Sequence, residues 1–226
     1  MKLIKPSFEI LSFIDSDTIL KNIEVAGRTC YKSEDAITSE SAPKFIKMLI
    51  NKGHESVLEH EKLTIRFVCD RGVSHEIVRH RLASFSQEST RYCNYSKDKF
   101  DGQLTFIIPN WIDDIEEGEY LAHAMYHHAQ EDANKQWFDV CMNAEFVYQD
   151  LISKGWQAQQ ARSILPNSLK TEIVVTANLR EWRTIFKQRT SNAAHPQMRE
   201  IMNPLLAELK DLIPVVFDDL ISVNAS

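Results

Sequence analysis

The sequence predicts an α+β protein: an antiparallel or mixed sheet flanked by helices, folded as a single domain over residues 1-226. Three observations carry this. A run with the two-residue period of a half-buried strand occurs at residues 63-69, and further strand-like runs at 104-108 and, rich in β-branched residues, 171-177. Longer stretches with apolar residues three and four apart lie around them without regular strand-helix alternation, which argues against a wholly parallel α/β sheet. The 226 residues are 43% hydrophobic, enough for a sizeable core.

The elements follow in order. Phe8 to Phe13 is strand-like, and Ser16-Asp17-Thr18 are cap-type residues that open a helix through Ile19, Ile23 and Ala26 to Gly27. A second helix runs from Ala42 to Lys52 and stops at Gly53, where the absent Cβ permits a left-handed residue; His54 therefore follows a helix end. Leu63, Ile65, Phe67 and Cys69 alternate with Thr64, Arg66 and Val68 as a strand. After Gly72, Val73 and Ile77 stand one turn apart with Arg81 a turn further, while Glu76, Arg79 and His80 share a neighbouring face. This spacing predicts a short helix closed by Arg79-His80-Arg81, followed by a Ser/Thr-rich loop. Leu104 to Ile108 is a strand ended by Pro109. From Ile112 to Lys154 the pattern is mostly helical, frayed at its start by Gly118, with a stripe of Trp137, Val140, Cys141, Ala144, Val147, Tyr148 and Leu151. A short helix spans Gln157 to Leu165, a β-branched strand Thr171 to Ala177, a helix Leu179 to Thr190, and a last helix Gln197 to Ile213 with a kink at Pro204.

Composition narrows the function. A net charge of −6 argues against a general nucleic-acid binder. Met1 to Pro6 lacks the apolar run of a secretory signal, and no stretch is apolar for the 18 or more residues that a membrane span needs, so a cytoplasmic protein without a membrane partner is expected. Cys30, Cys69, Cys93 and Cys141 form no C-x-x-C pair and read as free thiols, Cys69 and Cys141 in the core. His123 and His127 are four apart but lack the intervening Glu of H-E-x-x-H and any evident third ligand, so no metal site is expected.

The cationic residues are concentrated rather than spread. Residues 79 to 91 hold Arg79, His80, Arg81 and Arg91 with the hydroxyls of Ser84, Ser86, Ser89 and Thr90, and no lysine lies between Lys62 and Lys97. Guanidinium forks and hydroxyls are an inventory suited to a phosphate, although a solvated basic loop has the same composition. In the helix after Asn178, the apolar register Trp182, Ile185, Phe186 continues one turn on to Arg189. A guanidinium on that stripe needs an anionic or strongly accepting partner, either a buried carboxylate or a ligand. Ser89 has none of the glycines of a nucleophile elbow and no histidine arranged to activate it, so it reads as a hydrogen-bonding residue. With six glycines and no G-x-G-x-x-G or P-loop, any dinucleotide must be gripped by side chains.

Arg79-His80-Arg81, seven residues, then Ser89 and Arg91-Tyr92 form the pattern R-H-R-x7-S-x-R-Y. With Gly53-His54-Glu55-Ser56, Ala161-Arg162-Ser163-Ile164-Leu165-Pro166, and Asn178-Leu179-Arg180 followed by Arg189, this chain resembles the flavin-dependent thymidylate synthases. The resemblance implies methylation of dUMP to dTMP, with 5,10-methylenetetrahydrofolate as carbon donor and FAD, reduced by NADPH, as hydride carrier. It also implies a homotetramer with shared active sites. It assigns dUMP contacts to Glu76, Arg79, Gln87, Glu88, Ser89, Thr90, Arg91, Arg162 and Arg189. Arg189, against the uracil ring, would act electrostatically, because a guanidinium deprotonates nothing at neutral pH. FAD contacts fall on His54, Ser56, Arg79, His80, Arg81, Gln87, Asn178, Leu179 and Arg180. Gln87 stands where many members carry Glu, and Thr184 where they carry Asn or His; Thr184 stays outside the set. A reading from another class is a non-catalytic nucleotide- or RNA-binding module that uses the arginine loop with Phe85 and Tyr92 as stacking partners.

Overall fold

The computed structural model describes residues 1-97, 100-121 and 133-221. Among them seven strands form two sheets, accompanied by seven α-helices, so the α+β class is the one expected. The strands are β1 (Lys2–Ile4), β2 (Ser7–Ile10), β3 (Lys62–Asp70), β4 (Ala83–Gln87), β5 (Thr105–Ile107), β6 (Gly118–Glu119) and β7 (Lys170–Asn178). The helices are α1 (Ser16–Tyr31), α2 (Ser41–Asn51), α3 (Arg71–Ile77), α4 (Ala133–Ser153), α5 (Ala158–Ala161), α6 (Leu179–Arg189) and α7 (Pro196–Leu212). One sheet has the order β5-β1-β6 and the other β2-β3-β7-β4. The three-stranded sheet is mixed: Leu3 pairs in parallel with Phe106 and antiparallel with Gly118.

The chain divides into two compact units. The first comprises residues 1-7, 67-77 and 86-173. Its core joins Leu3, Leu104, Phe106 and Ile108 to Phe138, Cys141, Ala144 and Tyr148 of α4, so the predicted stripe on this helix is the buried one at Cys141, Ala144 and Tyr148, while Val140 is exposed. The second comprises residues 8-66, 78-85 and 174-226. Ile23, Ile46, Leu49, Leu58, Trp182, Phe186 and Phe217 are buried there, and the Trp182 indole N–H donates to the Leu63 carbonyl at 3.2 Å.

Several boundaries differ from expectation. α1 passes through Gly27 to Tyr31, because this glycine makes room for a neighbour rather than ending the helix: a Cβ there would lie 2.7 Å from Phe45 Cε1. α3 stops at Ile77, so Arg79-His80-Arg81 does not close it. Leu82 then takes a left-handed backbone, φ 61°, a conformation that costs a non-glycine residue about 1–2 kcal/mol. The expected Ser/Thr-rich loop begins as strand β4, with Ala83, Phe85 and Gln87 half-buried and Ser84 and Ser86 exposed. Its place at the edge of the sheet explains the weak signal, since an edge strand needs little apolar content. The helix expected from Ile112 begins later: residues 112-121 are non-helical and contain β6, residues 122-132 with His123 and His127 lie outside the described set, and α4 starts at Ala133. Strand β1 was too short to register as a pattern. Pro204 lies within α7. Among the described residues no helix is long and apolar enough to cross a membrane.

Candidate functional site

In the first unit, the polypeptide after β4 turns at Ser89, whose carbonyl accepts from the Tyr92 and Cys93 N–H groups at 3.2 and 2.9 Å. This turn brings Thr90 under Arg162, which donates from Nη1 to Thr90 Oγ1 at 3.2 Å across 72 residues of sequence. Arg162 opens a 3-10 turn after α5, and its side chain is exposed. Arg91 is exposed as well and lies over the Tyr92 ring at 5.5 Å. Exposed Arg162 and Arg91, half-buried Ser89 and the buried Thr90 hydroxyl behind Arg162 thus stand in one short segment and its partner, guanidinium and hydroxyl groups of the kind that match a phosphate.

Gln87 and Glu88 are occupied by neighbours. The Gln87 amide donates to Ser74 Oγ at 2.9 Å and Thr171 Oγ1 at 3.2 Å. The Glu88 carboxylate accepts from the Tyr95 hydroxyl at 2.9 Å and from Lys170 at 3.1 Å. Burial disfavours a charged Lys170, but hydrogen bonds to Glu172 and Glu88 outweigh it and raise its pKa. Glu76 is half-buried on α3. Cys69 and Cys141 are buried as expected, and burial pushes both thiols up to about 12, so neither supplies a thiolate at neutral pH.

In the second unit, α2 ends as a glycine cap requires. Gly53 has φ 71°, its N–H donates to the Ile50 carbonyl, and the His54 N–H reaches back to Leu49 at 2.9 Å, the paired bonds of a Schellman motif. His54 is thereby held at its backbone, and its Nδ1 is hydrogen-bonded to the Tyr31 hydroxyl at 2.7 Å. Ser56 is exposed in the following 3-10 turn. Arg79 and Arg81 are exposed and pair with no carboxylate among the described residues, whereas His80 between them is 7% exposed. The Asn178 side chain caps α6 by accepting from the Glu181 N–H at 2.8 Å. Leu179 is a core residue, so a ligand contact there would be through backbone. Arg180 pairs with Glu59 on the surface, and the Thr184 hydroxyl donates to the Arg180 carbonyl at 3.2 Å.

The arginine that α6 buries completely is Arg183, outside the residues expected from motif and resemblance. It lies four residues after Leu179 and three before Phe186, a helical stripe that would have flagged it. Its guanidinium donates to both Asp219 oxygens at 2.6 and 2.7 Å and to Glu55 at 3.1 Å. Burial opposes its charge, but these carboxylates outweigh burial and keep it protonated. The buried carboxylate pairing considered for Arg189 therefore occurs six residues earlier on this helix, at Arg183. Arg189 itself is half-buried and donates from Nε to His80 Nε2 at 2.9 Å. Burial first, and the Arg189 charge second, lower the His80 pKa to about 4. The imidazole is neutral at pH 7 and accepts at Nε2, so its proton sits on Nδ1, 3.8 Å from Glu181 Oε1.

Comparison with known proteins shows the family of the chain. The family model described as thymidylate synthase complementing protein matches residues 12–215. The chain belongs to the flavin-dependent thymidylate synthase family. It is 34% identical over 207 residues to the flavin-dependent thymidylate synthase of Corynebacterium glutamicum, covering 87% of this chain and 78% of that one. With the Pyrococcus furiosus enzyme of the same name it shares 31% over 194 residues, 84% and 72% of the two chains. A crystal structure of a UMP/dUMP methylase from Streptomyces cacaoi, bound with 5-Br UMP, superposes with a TM-score of 0.71 at 21% identity, covering 96% of this chain and 95% of that one. That likeness bears on the fold. Membership of an enzyme family removes the non-catalytic binding module as a reading. Among the described residues no group of three or more His, Cys, Asp or Glu is placed to hold a metal ion.

Proposed function

We propose that this member of the flavin-dependent thymidylate synthase family makes dTMP from dUMP by reductive methylation, taking its carbon from 5,10-methylenetetrahydrofolate and its hydride from FAD reduced by NADPH. The observation that carries the reading is the Arg162–Thr90 hydrogen bond, which gathers Arg162 and the Ser89–Arg91 turn into one donor set. Arg162, Ser89, Thr90 and Arg91 hold the dUMP phosphate, with Gln87 and Glu88 bordering the nucleotide through their backbone and Glu76 nearby. Arg189 meets the uracil ring and favours negative charge there as C5 becomes nucleophilic.

The donor set of this chain also fits a flavin dinucleotide. Exposed Arg79 and Arg81 offer forks for its pyrophosphate, and His54 and Ser56 follow a rigid helix cap. Gln87 and residues Asn178 to Arg180 complete the cofactor contacts. FAD, when bound, supplies the hydride chemistry; the residues here bind, orient and shield the reacting groups. Catalysis need not use a protein cysteine as nucleophile: none of the four sits in a motif, and Cys69 and Cys141 are buried. The working form is a cytoplasmic homotetramer with shared active sites.

The test is an anaerobic visible spectrum of the purified protein with FAD as NADPH is added, with and without dUMP. A bound flavin that bleaches faster with dUMP is expected. Failure to bind flavin at saturating FAD would overturn the reading.

A further inference from the structure

We infer that His80 is the positioning residue for Arg189: its buried ring accepts the Arg189 Nε–H and so sets the direction in which that guanidinium faces. This rests on the reading of Arg189 as the residue that meets the uracil ring. Resemblance places His80 on the cofactor side, yet the structure gives both ring nitrogens protein neighbours. Nε2 takes the Arg189 Nε–H at 2.9 Å, and Nδ1 faces Glu181 Oε1 at 3.8 Å. The ring is 7% exposed, in contrast to the exposed arginines on either side.

The physical argument is one of rigid geometry. A guanidinium is planar, so fixing its Nε–H direction fixes where both terminal amino groups point. Arg189 is the last residue of α6, where the helix itself constrains a long side chain least. An acceptor at Nε narrows the rotamers from which the substrate-bound one is drawn. A neutral imidazole at Nε adds no negative charge of its own, as a carboxylate at that position would. The alternation Arg79-His80-Arg81 then has a structural meaning: the exposed flanking residues offer charge outward, and the middle residue turns inward to hold a third arginine.

The experiment uses flavin-loaded enzyme and measures dUMP affinity by calorimetry and flavin content by absorbance. His80→Leu removes the acceptor, His80→Asn shortens it out of reach, and His80→Gln keeps a carbonyl that can accept from Nε. His80→Leu and His80→Asn, brought to full flavin loading with added FAD, are expected to weaken dUMP about tenfold, with His80→Gln within about threefold of wild type. Arg189→Ala is expected to weaken dUMP at least as much, and adding His80→Leu to it should cost nothing further. Wild-type dUMP affinity in His80→Asn, fully additive losses in the double variant, or loss of flavin in place of dUMP would each overturn the inference. Should His80→Leu not fold, equal dUMP affinity in the Asn and Gln variants overturns it. If Arg189→Ala binds dUMP normally, the reading of Arg189 itself fails, a result separate from failure of His80 alone.

Discussion

Arg183 and Arg189 lie six residues apart on α6, and both are arginines that the helix turns at least partly inward. Arg183 is fully buried and its charge is matched by Asp219 and Glu55. Arg189 is half-buried and hydrogen-bonded to an imidazole that carries no charge at neutral pH. Burying a charge against carboxylates ties distant segments together, here the turn after α2 and residues near 219, but leaves that charge little effect on a ligand. An imidazole accepting at Nε orients a guanidinium without itself adding negative charge. The same residue type thus serves architecture at one position and, in the proposed function, chemistry at the other.

The comparison breaks most visibly at Arg183. Arg183→Leu leaves Glu55 and Asp219 facing an apolar side chain and should cost roughly 1–3 kcal/mol of stability, read from the midpoint of urea denaturation, since Asp219 can turn to water and Glu55 keeps Lys187. A loss below about 1 kcal/mol would mean that Arg183 is not the architectural member of the pair. Arg189→Lys makes the opposite cut. It should lower dUMP-dependent turnover by about a hundredfold, since an ammonium reproduces the charge but not the planar fork. Flavin content and denaturation midpoint should stay at wild-type values, and undiminished turnover would remove Arg189 from the mechanism.

Acid should sharpen the contrast from the side of His80. The folded chain holds this imidazole at about 4, against 6.5 for a free one, through burial and then the Arg189 charge. Between pH 6.5 and 4 the unfolded chain takes up a proton that the folded chain refuses, so stability falls as pH is lowered through that window, by up to roughly 3 kcal/mol. Glu181, which burial raises, works in the opposite sense and offsets part of the fall. Denaturation of wild type and His80→Gln across these pH values should show the steeper slope in wild type; parallel slopes would refute the assignment. The smallest effect belongs to Asn178, whose cap supports the whole helix. Asn178→Ala should cost about 1 kcal/mol, and equal retention of flavin and dUMP affinity in the folded variant would show that the cap serves stability alone.

Much of the framework was legible in the residues themselves. Leu63, Ile65, Phe67 and Cys69 alternate as a strand and are buried as one. Gly53 ends α2 in a left-handed conformation as its missing Cβ allows, and so positions His54. The serine-rich β4 was hidden because an edge strand in this sheet takes its stability from backbone pairing more than from apolar side chains. Gly27 misled for the complementary reason: a helix-breaking residue was retained to admit the Phe45 ring.

For the site, local order in the chain sufficed to collect Arg79-His80-Arg81 and Ser89 to Arg91, because the residue types and their spacing are written in one segment. It also placed Arg189 on a helix face that turns inward. Which arginine becomes fully buried was decided by partners 128 and 36 residues from Arg183, Glu55 and Asp219. The pairing of His80 with Arg189 spans 109 residues, and that of Thr90 with Arg162 spans 72. Periodicity reports the direction of a side chain about its own helix or strand, whereas the charge and protonation of a buried group depend on what the folded chain brings against it. The sequence alone therefore determined the cast of cationic and hydroxyl residues and the elements that carry them, and tertiary packing decided that Arg183 is neutralised while Arg189 is held by a neutral histidine.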